Sequence, residues 1–170
     1  MLEIFNTLKP FFEDNYRRIN VREYSRIQRI SPPTASNLLQ SLNKQDMLKK
    51  EQDRQFIYYY ANQDSNLFLD LQRAYYKLEL ENSGLNTFFK KELLNPIVFL
   101  FGSLSKAEAK KDSDIDIAIF TPTNKKIDLT KYEKILKRKI QLFIFPDREG
   151  LKSKELLNNI LNGYKIMGNF

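Results

Sequence analysis

Gly102 and Ser103 close the apolar run Ile97–Phe101, and Asp114 and Asp116 follow with Ile115 between them. A strand that feeds Gly-Ser and then a helix makes an anion trap. Glycine lets a ligand approach the backbone closely. The N–H groups of a helix's first turn lack partners within the helix and point outward. Ser103 adds a hydroxyl donor, and a triphosphate suits such a cradle. The aspartates have the opposite character. On a strand, residues i and i+2 point the same way. Ile115, Ile117 and Ile119 are therefore expected in the core, with Asp114 and Asp116 projecting together from the other face. Two carboxylates that close repel each other, and a divalent cation is the usual remedy. A phosphate cradle beside a dication is the equipment of phosphoryl and nucleotidyl transfer, which are mainly positioning and charge neutralisation.

The elements that must position these groups alternate strand and helix across residues 96–170. Strands are predicted at Ile97–Phe101, 113–120 and 139–145, and a short helix at 103–110. Thr130 and Glu133 have the spacing of a capping box for a helix ending near Lys137. "SKELLNNILNG" reads as a final helix with Gly163 as its stop.

In order, Gly102 and Ser103, then Asp112, Ser113, Asp114, Ile115 and Asp116, resemble the pattern of the minimal nucleotidyltransferases of the DNA polymerase β superfamily. The resemblance covers residues 96–145. It implies a mixed sheet with flanking helices, a bound NTP (ATP first among them) and Mg²⁺ or Mn²⁺ as cofactor. It also implies Asp114 and Asp116 as catalytic metal ligands, and Gly102, Ser103 and Ser113 as nucleotide-binding residues. Such enzymes usually add a third carboxylate from a later strand. The matching position here is Gln141, whose amide carries no charge and cannot act as a base. Asp147 lies beyond that strand's end, and Asp128 and Glu133 lie upstream of it. Lys106-Ala107 stands where the family often shows Arg-Gly. Loss of the third acid should slow the chemical step more than it weakens ground-state binding.

Ahead of this region, residues 1–62 carry a different pattern. Leu2, Phe5, Leu8 and Phe12 recur at helical spacing. A second helix is predicted at Val21–Gln28. A third starts at Pro33, with Pro32 held out of it by the following proline, and buries Leu38, Leu39 and Leu42. Strands at 48–51 and Phe56–Ala61 follow, joined by a polar turn at 52–54. This order resembles the winged helix-turn-helix domains of transcription regulators. The resemblance implies Thr34, Ser36, Asn37, Gln40, Ser41 and Lys44 facing the bases or phosphates of DNA, with Lys49, Lys50 and Arg54 on or near the wing. A winged helix used for protein docking or dimerisation has the same order. Residues 64–95 read as a helical connector, capped by Asp64 or Ser65. Its stripe of Leu67, Phe68, Leu71, Tyr75 and Leu78 suits a core or a homodimer interface. Gly84 separates it from a second helix that carries Phe88, Phe89 and Leu93.

The expected fold class is thus α+β: winged helix-turn-helix at 1–62, helical connector at 64–95 and nucleotidyltransferase-like domain at 96–170. Two functions fit. One is a DNA-binding regulator whose second domain binds NTP and Mg²⁺ at a catalytically weakened site. The other is an active enzyme transferring NMP to a protein hydroxyl, as antitoxin-like relatives do, or to a nucleic-acid hydroxyl. The formal charge of +7 favours polyanionic partners. Residues 125–139 form a basic stretch that could guide a polyanionic acceptor or serve only as a solvated face. With neither histidine nor cysteine in the chain, oxygen donors must hold any metal, and thiol chemistry is absent. No apolar run is long enough to span a bilayer. The chain's start does not read as a signal peptide, so a cytoplasmic location is expected.

Overall fold

α1 (Glu3–Glu13) buries Phe5, Leu8, Phe11 and Phe12, so the stripe read from the sequence is its core face. The computed structural model describes residues 3–123, 125–147 and 149–169, and Leu2 lies outside them. The chain divides into two units: Met1–Gln72 with Ala107–Lys111, and Arg73–Lys106 with Asp112–Phe170.

In the first unit, β1 (Ile19–Asn20) leads directly into α2 (Val21–Gln28), and the Asn20 side chain accepts the Glu23 N–H at 3.0 Å. α3 spans Pro32–Lys44. It starts one residue earlier than predicted. Ser31 takes the capping position in extended geometry (φ −67°, ψ 149°) and accepts from the Thr34 N–H. The restriction before a proline therefore falls at Ser31, and both prolines lie in the first turn, where N–H groups are dispensable. Ala35, Leu39 and Leu42 form the buried stripe, while Leu38 is half-buried. β2 (Leu48–Asp53) and β3 (Phe56–Ala61) make a hairpin, and β1 completes an antiparallel sheet of order β1-β3-β2.

The helix expected at 103–110 is a single 3₁₀ turn, Ser103–Ser105. Beyond it Ala107 adopts left-handed geometry (φ 55°), and Ala107–Lys111 joins the first unit. There Asn15 donates its backbone N–H to the Ala109 carbonyl at 2.8 Å and accepts the Ala109 N–H on its side-chain oxygen at 2.6 Å. The Asn15 side-chain nitrogen donates to the Phe11 carbonyl and to Gln72. This buried amide is thus fully engaged, and its bonds hold the segment in an extended path that a helix could not follow.

α4 (Asn66–Asn82) begins with Ser65 Oγ accepting the Phe68 N–H, which resolves the choice between the two capping candidates. Phe68, Tyr75, Tyr76 and Leu80 are its buried hydrophobics; Leu67 is exposed, and Leu71 and Leu78 are half-buried. α5 (Leu85–Glu92) follows Gly84.

The second unit is built on a mixed sheet of order β6-β5-β4-β7. β4 (Ile97–Phe101) pairs antiparallel with β5 (Ile115–Phe120) and with β7 (Tyr164–Met167), a strand the sequence did not announce. β5 and β6 (Ile140–Phe145) are parallel, and α6 (Thr130–Leu136) lies in the crossover that such a pair requires. Both faces are apolar. Val98, Leu100, Ile117 and Ile119 are fully buried on one. Phe99, Phe101, Ala118 and Phe120 lie on the other, packed with Ile160, Leu156 and Leu157 of α7 (Lys154–Leu161). Each such side chain contributes roughly 1.5–3 kcal/mol by leaving water, so the sheet is a firm platform for whatever stands at its edge. The capping box at Thr130 and Glu133 does not form. Asp128 accepts from the Thr130 N–H and hydroxyl, while Glu133 turns to the Ile140 N–H and Lys139.

Candidate functional site

Phe101, Asp116 and Gln141 stand side by side across β4, β5 and β6. They lie on the face that α7 covers, at the end where the apolar packing stops. Gly102 follows Phe101 with φ 71° and ψ −155°, a conformation open essentially to glycine alone. A Cβ at Gly102 would fall 2.0 Å from Asp116 Oδ2 and 2.9 Å from Asp116 Cγ. The backbone turn after β4 and the carboxylate of β5 are therefore packed against each other.

Asp114 lies just before β5 rather than inside it, and its side chain is exposed; Asp116 is half-buried and Ile115 between them is buried. The alternation still sends both acids to one side. Burial pushes the Asp116 carboxyl above the ordinary aspartate range, and the Asp114 charge pushes it further. A half-buried carboxyl whose ionisation burial and a neighbouring acid both oppose belongs to a donor set suited to a dication. Ser103 Oγ has no hydrogen-bond partner among the described residues. The Ser105 and Lys106 N–H groups close the turn on Gly102 and Ser103. The cradle is thus one tight turn, and the helical N-terminus expected there is absent.

Ser113 is half-exposed, and its carbonyl accepts from Arg138 Nη1 at 2.6 Å. The Ile115 N–H bonds to the Lys139 carbonyl at 2.8 Å. Arg138 thus fixes the residue before Asp114, a role the sequence disclosed only as part of a basic stretch. Gln141, in register with Asp116, is exposed. The other acids of the region are bonded elsewhere. Asp128 and Glu133 hold the contacts given above, and these keep both carboxyls below their usual range. Asp147 accepts the Gly150 N–H. Among the described residues no group of three acids is placed to share a metal.

Two predictions arise here. Gly102→Ala is expected to destabilise the protein by about 1–3 kcal/mol and to drive the Asp116 carboxylate from its place. A denaturant midpoint shift, read alongside Mn²⁺ affinity, checks both. The second concerns pH. Below about pH 4 Asp116 is protonated in folded and unfolded chains alike and contributes nothing. As pH rises, the unfolded chain releases this proton first, so the metal-free fold loses stability until its own raised pKa is passed. Asp116→Asn should therefore unfold at a higher temperature than wild type at pH 7 in EDTA. The gap should shrink toward pH 4. Thermal unfolding across that range is the measurement, and a constant gap would contradict the assignment.

On α3, Thr34, Asn37, Gln40, Ser41 and Lys44 are exposed and Ser36 is half-buried. Gln40 donates to Ser36 Oγ, and Thr34 shares a hydrogen bond with Ser31. Lys50 and Arg54 are exposed on the hairpin, with Arg54 at its turn in left-handed geometry. Lys49 is paired with Asp64, which raises its pKa through their hydrogen bond. Arg18, beside the hairpin, is paired with Glu51 and Asp53.

No described helix is long and apolar enough to cross a membrane. The family model for polymerase beta nucleotidyltransferases matches residues 83–167, half of the chain, and takes in every residue of the site at Gly102, Ser103, Asp114 and Asp116. Comparisons with curated proteins and with solved structures gave no significant match.

Proposed function

Because this chain belongs to the polymerase beta nucleotidyltransferase family, we propose that its second unit binds an NTP, ATP first among them, with Mg²⁺ or Mn²⁺ and transfers NMP slowly to a hydroxyl. Gly102 and Ser103 hold the triphosphate, and the Ser113 segment flanks it. Asp114 and Asp116 hold the cation. When bound, the cation neutralises phosphate charge and lowers the cost of deprotonating the acceptor hydroxyl. That oxygen would bond to the α-phosphorus as its proton passes to solvent water, the bond from α-phosphorus to the bridging oxygen would break, and pyrophosphate would leave with the electron pair. The packing of Gly102 against Asp116 carries this reading, since the turn after β4 and the β5 carboxylate meet at one end of the sheet's inner strands. Gln141 beside Asp116 supports slow transfer: its amide oxygen can touch a cation, but it cannot take the acceptor's proton.

The first unit is, in this reading, a winged helix-turn-helix at 1–62 that sets the chain on DNA, making a regulator with a weakened enzyme site. The β1-β3-β2 sheet after three helices and the polar exposed face of α3 support it. The pairing of Lys49 and Arg18 with acids counts against strong phosphate binding. The 64–95 connector, homodimerisation and a protein acceptor belong to this proposal as well.

Incubation with radiolabelled ATP, Mn²⁺ and a cell extract tests it. Label transfer lost in Asp114→Ala/Asp116→Ala is the expected result. No transfer and no ATP binding by the wild type would overturn the function.

A further inference from the structure

β6 is an outer strand of the second unit's sheet. Natural sheets blunt such edges with charge, short strands or bulges. Two other edges follow this rule. β2 carries Lys49, Lys50, Glu51 and Asp53, and β7 is four residues long, with Lys165 and a register shift opposite Val98 and Phe99. β6 has no such device. It holds no charged residue and no proline, it pairs with β5 without a break, and Gln141 is its one polar side chain. Leu142 and Ile144 on one face and Phe143 and Phe145 on the other are only half-buried. The backbone is open on the outer side as well. The carbonyls of Lys139 and Phe145 accept from Ile115 and Thr121, so the odd-numbered residues bond toward β5, while Ile140, Leu142 and Ile144 face away. Glu133 takes the Ile140 N–H at 3.0 Å. The N–H and C=O groups of Leu142 and Ile144 have no hydrogen-bond partner among the described residues.

We infer that this edge is a homodimer interface, in which β6 pairs antiparallel with β6 of a second copy about a two-fold axis at Phe143. The strand is complementary to itself in this register. Leu142 lies opposite Ile144 of the other copy, and the two exchange both backbone hydrogen bonds. Every open outward group of these residues is then used. The next position sets Ile140 opposite Pro146, where the N–H of one is already held by Glu133 and the other has none. A two-fold axis at Leu142 would need the occupied Ile140 N–H, and one at Ile144 would need an N–H from Pro146. Charge favours the same arrangement. Residues 137–139 carry +3 and residues 147–149 carry −1, and antiparallel pairing sets these segments against each other. Lys139, though bonded to Glu133, keeps further N–H donors for an acid. The two four-stranded sheets thus join into one. This gives the homodimer named above a surface, and it goes beyond nucleotidyl transfer without resting on it.

Sedimentation equilibrium of the full chain over a concentration series tests this. Wild type should show a reversible monomer–dimer equilibrium. In Leu142→Pro the lost N–H faces outward, so the ladder to β5 survives. The dimer dissociation constant should rise on the order of tenfold or more, since each copy loses a donor to the other. A second variant decides the matter if the proline prevents folding. The chain has no cysteine, and Gln141 meets Phe145 of the other copy at a non-hydrogen-bonded position, where the backbones are close enough for a disulfide. Oxidised Gln141→Cys/Phe145→Cys should therefore run as a covalent dimer, and neither single variant should. Within one copy the two positions are roughly 13 Å apart, too far to bridge. A monomeric wild type would overturn the inference and leave the edge to an extended segment of another protein. A dimer that a folded Leu142→Pro does not weaken would overturn it too, placing the interface elsewhere on the chain. So would failure of the cysteine pair to link. None of these measurements involves ATP, so their failure is separate from failure of the label-transfer assay.

Discussion

Asp116→Ala is expected to lower nucleotidyl transfer by about 100-fold or more, because it removes a charged ligand from the group that neutralises the reacting phosphates. In the proposed mechanism Asp116 carries more of the load than Asp114. It is anchored in β5, packs on Gly102 and stands in register with Gln141. Asp114 sits ahead of the strand and is exposed, so its loss should cost less. The variant should not fail by unfolding. Its removal relieves a half-buried carboxylate whose ionisation burial and Asp114 both oppose, so the metal-free fold should gain stability while activity falls. Rates at saturating ATP, read together with thermal unfolding, separate the two effects. A variant with full activity would remove Asp116 from the chemistry.

Gln141→Asp is expected to act in the opposite direction, raising kcat by about 10- to 100-fold with little change in KM for ATP. A carboxylate beside Asp116 could both share the cation and receive the acceptor's proton, and a well-placed base contributes on this scale. The gain should appear in kcat because ground-state nucleotide binding already has its two acids and its cradle. The same change adds a third negative charge, so without metal the variant should unfold at a lower temperature than wild type, and Mg²⁺ should restore the difference. Unchanged kcat in a variant whose stability has become metal-dependent would show that position 141 reaches the cation but not the acceptor.

Much of the site could be read from residue order because its geometry is local. Alternation around Ile115 sends the two acids one way, and a strand ending at Gly102 must turn there. What escaped the sequence depends on distant partners. β7 carries little pattern of its own and exists by pairing with β4. β1 is two residues long and is defined by Tyr58 and Tyr59 opposite it. The helix expected after Ser103 gives way at Ala107 because Ala109 bonds to Asn15, far away in sequence. Thr130 and Glu133 had the right spacing for a cap, but Glu133 found the Ile140 N–H across the turn. On α4 helical spacing was right and the buried face was rotated: Tyr76 and Leu80 enter the core while Leu67 does not. Periodicity gives a stripe, and packing decides which side of it is covered.

Crystals grown with ATP and Mn²⁺ test the central claim most directly, through the anomalous signal of the metal. The account predicts a peak shared by the carboxylates of Asp114 and Asp116, with the triphosphate lying on the turn at Gly102 and Ser103. A metal bound elsewhere, or a triphosphate held away from that turn, would contradict it.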